Sequence, residues 1–456
     1  MLKLSMVAFV AATCVCASCF AGDLKTASDL RDKALSDQTA WNILESLTTE
    51  VGARPIGSPA YDRARVWGVA KLTALGFSNV HIETFPKPTW HRGAESAEVI
   101  APYPQKLAII GLGDSLPTPK KGIEAEIVVL NSFAELVAAP EGAFKDKIVV
   151  VNQPMVRTED GSGYGAAVRA RYGDGEAAKR GAVAYLVRSV STSQSRAPHT
   201  GTSDNAGPHI PTAALGVPDA ELLAHMAARG PVRIRLNLAS TIDTKSLCWN
   251  ISGEITGSEK PDEVIVIGGH LDSWDPGTGA IDDGAGIAIT TAAAHLIAEL
   301  PKHPRRTIRV VLFGSEENGG SNLAYLKAHK GELAHIVLAS EADLGSDRAF
   351  KLELPEGAVK APELAGLPTL LAPLKIIVAS TAPGHAGSDI EGLQGAGVPV
   401  FSFHQDASRY FDYHHSADDT LAIVDATQLN QNVAAWASTL YLLADSAIDF
   451  RVKPVQ

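Results

Sequence analysis

The second half of this chain alternates between buried strands and helices, and that alternation limits the folds open to it. Residues 263–268 form a nearly unbroken apolar run, residues 285–300 are alanine-rich over the length of a helix, and residues 307–313 form another apolar run. Strands of this kind, separated by helices, are typical of a largely parallel sheet covered on both faces. We therefore predict an α/β fold with a mixed, largely parallel sheet flanked by helices. The same patterns predict helices at 323–330 and 426–443 and strands at 336–339 and 398–403.

The first half has shorter elements separated by polar loops. Apolar residues recur at helical spacing over 27–75, a strand follows at 80–85, and prolines interrupt the chain from Pro102 to Pro119. Next come short β-type runs at 127–130, 147–151 and 183–187 and a helix at 175–180. A chain of 456 residues is also too long for one average domain. We expect one domain made of residues 22–122 and 241–456, with a linker near 117–122 and a β-rich insertion over 123–240.

The N-terminus has the pattern of an export signal. Lys3 precedes an apolar stretch from residue 4 to about 15, and small residues follow up to Ala21. This stretch is shorter than the roughly 20 residues of a permanent membrane helix. We predict a signal peptide over residues 1–21 and a secreted or periplasmic protein, with a retained anchor or lipidation of Cys19 as alternatives. Of the four cysteines only Cys248 lies beyond this segment, which excludes an internal disulfide in the mature chain.

The charge balance argues against a nucleic-acid partner. The chain has 40 basic and 51 acidic residues, for a net charge of −11. It contains no cluster of Lys and Arg that could follow a phosphate backbone. We therefore expect no nucleic-acid partner. No permanent membrane span is expected either, because the N-terminal apolar stretch is too short.

Candidate metal ligands follow the predicted strands, where open α/β sheets place their sites. A pair of zinc ions needs at least two histidines and three acids, with one carboxylate shared. The chain offers His270, Asp282, Glu317, Asp343 and His415, and Glu316 as a carboxylate that could hold an attacking water. A single His-x-Asp or Glu-Glu pair is usually structural. The joint occurrence of all these residues in one α/β unit is what predicts a metal centre.

These segments, in this order, resemble the signature segments of M28 metallopeptidases. Residues 90–95, 111–113, 198–201, 268–275 and 414–416 further resemble the carboxypeptidase Q branch, also called plasma glutamate carboxypeptidase. The resemblance covers nearly all of the chain after the predicted signal. It implies a zinc-exopeptidase fold, two zinc ions per chain, a peptide substrate and a homodimer. Residues 145–151 and 177–186 are similar to the protease-associated domain that interrupts many M28 enzymes, and imply a roof over the cleft or a purely structural lid.

The resemblance also implies roles for individual residues. His270 and Asp343 would bind one zinc, Glu317 and His415 the other, and Asp282 would bridge them. Three further residues are expected in the catalytic site: Glu316 as general base, Asp272 as the group that orients His270, and His414 as an oxyanion stabiliser or a packing residue. Residues 342–346 depart from the pattern of the closest branch, which puts the shape of the pocket there in doubt.

Several functions stay open at this level. Carboxypeptidase Q-like cleavage of dipeptides or short peptides and general aminopeptidase activity need the same metals. A single-zinc glutaminyl cyclase and a non-catalytic binding module share the fold, but the complete ligand set argues against both.

Overall fold

The apolar runs of the sequence form two large sheets. The computed structural model of the protein describes residues 23–203, 209–381 and 385–451. The predicted signal peptide, residues 1–21, lies outside these ranges. The described strands are β1 Ser78–Pro86, β2 Thr89–His91, β3 Glu95–Ala101, β4 Gln105–Leu107, β5 Ile109–Gly111, β6 Ile123–Leu130, β7 Ile148–Val151, β8 Ala184–Arg188, β9 Thr212–Leu215, β10 Arg233–Leu238, β11 Thr241–Asp243, β12 Leu247–Ile255, β13 Lys260–His270, β14 Arg306–Phe313, β15 Ile336–Glu341, β16 Ala349–Glu353, β17 Ile377–Val378 and β18 Ser402–Gln405.

The helices are distributed along the described parts of the chain. The described α-helices are α1 over 23–34, α2 Thr39–Ser46, α3 Pro59–Ala74, α4 Phe133–Ala138, α5 Gly163–Ala167, α6 Asp174–Lys179, α7 Val217–Ala227, α8 Ala285–Ala298, α9 Ser321–Ala328, α10 Glu356–Val359, α11 Leu367–Leu371, α12 Glu391–Gly395, α13 Tyr410–Tyr413 and α14 Ala426–Asp445. Short 3-10 or π turns extend several of them, at Leu47–Val51, Val168–Ala170, Ala280–Gly284, Lys330–Glu332, Pro362–Leu364, Ala372–Leu374 and Leu421–Ile423. Within the described ranges, no helix is long and apolar enough to cross a bilayer.

The first sheet has five strands in the order β1-β12-β14-β13-β15. Strand β13 is parallel to both of its neighbours, β14 and β15, whereas β12 is antiparallel to β1 and β14. Alternate residues of β13 enter two different cores: Ile265 and Ile267 pack with helices α2, α8 and α14, and Val264 and Val266 pack with α9 and α12. The predicted mixed sheet with helices on both faces is therefore confirmed.

The second sheet has eight strands in the order β4-β3-β10-β6-β7-β8-β9-β5. Strands β6 to β9 are parallel, and the outer strands pair antiparallel. Separate apolar clusters cover its two faces, with Val150 and Leu186 in one and Val149 and Tyr185 in the other. The sheet thus has a core of its own, independent of the first sheet.

The boundary expected at residues 122/123 falls between strands of this second sheet. Strands β3 and β5, which lie before residue 122, pair with β10 and β9 far along the chain, and β4 pairs with β3. The stretch 117–122, expected to be a linker, therefore connects two strands of one sheet. Strands β2 and β11, which directly precede and follow the strands of this sheet in the sequence, form a two-stranded ribbon. We propose that the inserted unit spans residues 95–238.

Two local predictions also need adjustment. The helical stretch predicted over 27–75 is divided into three helices by turns at 35–38 and 52–58. The strand predicted at 398–403 forms later, at β18, in a small sheet with β16 and β17. Val400 makes only an isolated bridge to Ala339 of β15. The other strands and helices predicted for the second half form within a few residues of the expected positions.

Candidate active site

The predicted ligands meet because three parallel strands end at one edge of the first sheet. His270, the last residue of β13, is in register with Phe313 of β14, and Gly268 is in register with Glu341 of β15. The loops after β14 and β15 carry Glu316, Glu317 and Asp343. Parallel strands point their carboxyl ends the same way, so these loops emerge side by side.

Asp282 lies at the centre of the cluster. Its Oδ1 is 3.2 Å from Nε2 of His270, and its Oδ2 is 3.2 Å from Nε2 of His415. Each carboxylate oxygen therefore faces a different histidine. Asp282 precedes helix α8 in a turn of non-helical backbone, and its peptide bond to Asp283 is cis.

The remaining predicted ligands lie around these two histidines. Oδ1 of Asp343 is 3.6 Å from His270 Nε2, and Oε2 of Glu317 is 2.9 Å from His415 Nε2. His414 is also close, with Nε2 3.6 Å from Oδ2 of Asp282. Two groups of three side chains bring ligand atoms within 4.8 Å of one another: His270, Asp282 and Asp343, and Asp282, His414 and His415. Asp282 belongs to both groups. His414 belongs to the second group, together with His415.

Asp272 holds the backbone on which Glu316 and Glu317 stand. Its carboxylate accepts the N–H of Glu316 at 3.0 Å and that of Glu317 at 3.3 Å. The Nδ1 of His270 lies 3.0 Å from the backbone oxygen of Asp272 and 3.6 Å from its carboxylate. The contact that orients the His270 ring is thus mainly with the backbone oxygen of Asp272. The carboxylate of Asp272 instead accepts hydrogen bonds from the loop that carries Glu316 and Glu317.

Two further aspartates fix the loops that carry the histidines and Asp282. The carboxylate of Asp283 accepts the N–H groups of His270 and Gly286, both at 3.0 Å. That of Asp419 accepts the N–H groups of Ala280 and Ile281 at 2.9 and 2.8 Å. Neither aspartate was predicted to have a role, although Asp283 stands directly after Asp282.

Arg54 is a supporting residue that no sequence pattern indicated. Its side chain is fully buried and donates to the carbonyl oxygens of Leu271, Thr278 and Gly279 at 2.5, 2.7 and 3.0 Å. These carbonyls belong to the segment between His270 and Asp282. Arg54 therefore ties that segment to the N-terminal helices.

His415 is held in an unusual backbone conformation. Its φ is 62°, in the left-handed region that non-glycine residues rarely adopt and that is enriched at functional sites. Its Nδ1 lies 3.2 Å from the carbonyl oxygen of Thr200, a residue of the inserted unit. A donor hydrogen on Nδ1 leaves Nε2, on the side of Asp282 and Glu317, free to act as a ligand.

The electrostatics of the cluster favour positive charge. Burial raises the pKa of Glu316 well above its ordinary value, and the charges of Asp343 and Glu317 add to the rise. Burial by itself would lower the pKa of His415, but Glu317 and Asp282 outweigh it and raise that pKa to about 10. His414 shows the opposite shift, because burial and the charge of His415 keep its pKa well below the usual value. An excess of buried carboxylates of this kind is normally neutralised by a cation.

The donor set fits zinc. Histidine nitrogen and carboxylate oxygen are zinc ligands, and a bridging carboxylate must present both oxygens, as Asp282 does. Oε1 of Glu317 and Oδ1 of Asp343 are buried and have no hydrogen-bond partner among the described residues. Buried oxygens of this kind are rarely left unsatisfied. The residues present therefore match a site for metal ions.

A cavity of about 460 Å³ opens onto the cluster. One side is formed by the strand-end loops, with Glu316, Glu317 and Asp343. The other side comes from the inserted unit, which contributes Tyr164, Arg171, Tyr172 and Thr202. A buried cluster of candidate metal ligands at the base of a cleft is suited to hydrolysis of a small substrate.

Comparison with known proteins assigns this site to a family. The profile of peptidase family M28 matches residues 250–440. Carboxypeptidase Q of Xenopus laevis is 38% identical over 92% of this chain and 89% of its own length. The crystal structure of a peptidase M28 precursor from Shewanella amazonensis is 39% identical, with a TM-score of 0.92 over 96% of this chain and 100% of that one. A zinc aminopeptidase of Bacillus subtilis, 18% identical, shares the fold with a TM-score of 0.65 over 91% of this chain and 97% of its own.

The fold and the cluster thus define a metallo-exopeptidase. The chain belongs to peptidase family M28, in the branch that contains carboxypeptidase Q. The resemblance predicted from the strand-end segments is confirmed.

Proposed function

We propose that this protein is a two-zinc exopeptidase that releases a terminal residue from dipeptides or short peptides, as the name carboxypeptidase Q of its relatives implies. The observation that carries the proposal is the position of Asp282, whose two oxygens each lie 3.2 Å from a different histidine Nε2. One carboxylate between two histidines is the arrangement that two neighbouring ions require. The zinc aminopeptidase with the same fold supports zinc as the metal.

The ligand assignment follows the observed contacts. His270 and Asp343 would hold one ion, His415 and Glu317 the other, and Asp282 both. Bound zinc supplies acidification of a water molecule and polarisation of the scissile carbonyl. His414, stacked on His415 with ring centroids 3.6 Å apart, stays outside this assignment.

Glu316 is the proposed general base. Its backbone is held by Asp272, its side chain lines the cavity, and it does not belong to either group of converging ligand atoms. Its carboxylate takes a proton from the attacking water as the new C–O bond forms. The same proton passes to the amine nitrogen as the C–N bond breaks, which balances the hydrolysis.

His414 is the proposed donor to the negative charge that develops on the carbonyl oxygen when water attacks. Its imidazole lines the cavity, and its Nδ1 is buried without a hydrogen-bond partner among the described residues. A neutral imidazole with a free N–H can stabilise such an oxyanion. Tyr410, Phe411 and Tyr164 pack against its ring and fix its orientation.

The test is hydrolysis of free dipeptides, N-blocked dipeptides and aminoacyl-nitroanilides by the purified mature protein, with and without chelator and added zinc. Chelator-sensitive cleavage of dipeptides supports the proposal. Strong cleavage of the nitroanilides would indicate a general aminopeptidase instead, and inactivity of zinc-loaded protein on every substrate would contradict an enzymatic role.

The neighbouring glutamates give a matched pair of variants. Glu316→Gln is expected to lower kcat by at least about 100-fold while zinc content stays at two per chain, because the base is removed and the ligands are not. Glu317→Gln is expected to lose bound zinc as well as turnover. Metal analysis of both proteins, together with their kinetics, tests the assignment; loss of zinc from Glu316→Gln would overturn it.

We also propose that the protein is exported with cleavage near Ala21 and that it forms a homodimer. The apolar N-terminal segment and the family supply the reasons for these two proposals. N-terminal sequencing of the protein from its native host and light scattering of the purified chain test them separately.

A further inference from the structure

A buried arginine of the inserted unit faces the catalytic cavity without a charged partner. Arg171 follows the short turn Val168–Ala170, is 5% exposed, and lines the cavity beside Glu317 and His415. Its guanidinium forms no ion pair with an Asp or Glu side chain in the described parts of the chain. A buried guanidinium of this kind normally needs an anionic partner.

The hydrogen bonds that Arg171 makes are to neutral groups, one of them the hydroxyl of Tyr164. Its Nη2 donates to the hydroxyl of Tyr172 at 3.2 Å, and its Nη1 reaches the carbonyl oxygen of Thr200 only at 3.5 Å. Its Nε is buried and has no partner among the described residues. A guanidinium has five N–H donors, so part of its hydrogen-bonding capacity is unused.

The contact with His415 does not supply the missing hydrogen-bond acceptor. Nη1 of Arg171 lies 3.4 Å from Nδ1 of His415. If His415 binds metal through Nε2, as proposed above, its Nδ1 bears the hydrogen and donates to Thr200. Two donors then face each other at this distance, and the guanidinium is left without an acceptor there.

The surrounding residues hold the guanidinium in a fixed place. It lies over the rings of Tyr164 and Tyr172, at 5.8 and 5.3 Å from their centroids, as in cation–π contacts. Gly201 has a φ of 129°, and a Cβ at that position would come within 2.1 Å of Nη1. Glycine is thus required where the arginine passes. These contacts of the inserted unit hold the guanidinium in a fixed position facing the cavity.

We propose that Arg171 binds the free α-carboxylate of the residue that leaves, and so restricts the enzyme to substrates with a carboxylate one residue beyond the scissile bond. This inference rests on the proposed function. The guanidinium contacts Nδ1 of His415, and the proposed ligand atom Nε2 is on the other side of the same imidazole ring. One peptide residue spans about 3.8 Å between successive Cα atoms. A carboxylate one residue beyond the scissile carbonyl can therefore reach the arginine. The substrate class is then dipeptides and peptides trimmed from the carboxyl end.

The charge distribution of the cavity also favours binding of the substrate carboxylate at Arg171. The strand-end loops line the cavity with Glu316, Glu317 and Asp343. These side chains disfavour a carboxylate anywhere except beside Arg171 and near the metal ions. A guanidinium can engage a carboxylate through two parallel N–H bonds, which gives both affinity and orientation.

The test compares kcat/KM for a dipeptide and for its C-terminal amide in the zinc-loaded enzyme. Wild type is expected to prefer the free acid by about 100-fold or more, the effect of losing one buried charge-paired hydrogen-bonding contact. Arg171→Met should lose this preference, mainly through the free acid, while kcat/KM for the amide changes by less than about threefold. Arg171→Lys, which keeps the charge but loses the planar fork, should be intermediate.

Arg188→Met is the matched control. Arg188 is a buried arginine at the end of strand β8 in the inserted unit; it pairs with Glu221, outside the cavity. Its loss should leave the acid-to-amide ratio unchanged. Equal loss of activity on acid and amide in Arg171→Met, or a wild-type ratio near one, would overturn the inference.

A binding measurement separates this inference from the proposed function. In the Glu316→Gln background, calorimetric titration with the dipeptide and its amide measures recognition without turnover. Weaker binding of the acid, and not of the amide, after Arg171→Met supports the role of Arg171 even if the wild-type enzyme hydrolyses neither compound. Equal affinities for acid and amide in the Arg171-containing protein would refute it.

Discussion

Replacing Asp272 with Asn tests whether the metal centre depends on a residue that is not itself a ligand. The carboxylate accepts the N–H groups of Glu316 and Glu317 with separate oxygens, at 3.0 and 3.3 Å. An asparagine has one oxygen and one NH₂ group, so one of these buried N–H groups must face a donor. A buried donor left without an acceptor costs about 1–3 kcal/mol, and each 1.4 kcal/mol corresponds to a factor of ten.

The expected result is zinc binding about 10- to 100-fold weaker than in wild type, with a comparable loss of kcat/KM at limiting zinc. Competition against a chromophoric chelator measures the affinity directly. Asp275→Asn is the control on the same loop, because Asp275 pairs with Arg92 and does not contact the glutamates. A zinc affinity for Asp272→Asn within twofold of wild type would refute the argument that this carboxylate positions the glutamate loop.

Two further predictions concern stability. Arg54→Met should lower the free energy of unfolding by at least about 3 kcal/mol in urea titrations, since three carbonyl oxygens lose a charged donor; a loss below about 1 kcal/mol would contradict this. Burial alone would lower the pKa of His329, but its hydrogen bond and ion pair with Glu83, at 2.7 Å, raise it above the ordinary value. The stability from protonated His329 is therefore complete below its unfolded pKa of about 6.5 and is lost as pH rises through the raised folded value. The difference in unfolding free energy between wild type and His329→Gln should shrink from pH 6 to pH 9, and a difference that grows with pH would show the sign to be wrong.

The catalytic half of the fold was predictable because its signals are local. Three segments are recognisable as buried elements from their own residues: the apolar runs at 263–268 and 307–313 and the alanine-rich helix between them. They form β13, β14 and α8. Once these strands are parallel, the residues after them must share one edge of the sheet. The prediction that His270, Glu317 and Asp343 converge needed no knowledge of distances.

The inserted unit was predicted less well, because its sheet is built from distant pairs. Strand β5 has three residues and pairs with β9, so that Ile110 lies opposite Ala214. The prolines and the short strands β4 and β5 give no sign of this pairing, and residues up to 122 were therefore assigned to the first domain. Nothing local indicates that 95–111 belongs to a sheet completed more than 100 residues later.

The sequence by itself determined the fold class, the family and the set of residues that can bind metal, since these depend on periodicity and on the order of short segments. The tertiary structure decided how those residues are supported and what else reaches them. Arg54 and Arg171 lie in segments without any catalytic pattern, yet one is buried against the loop after His270 and the other beside His415. Their roles arise from contacts between parts of the chain hundreds of residues apart, and such contacts leave no local pattern in the sequence.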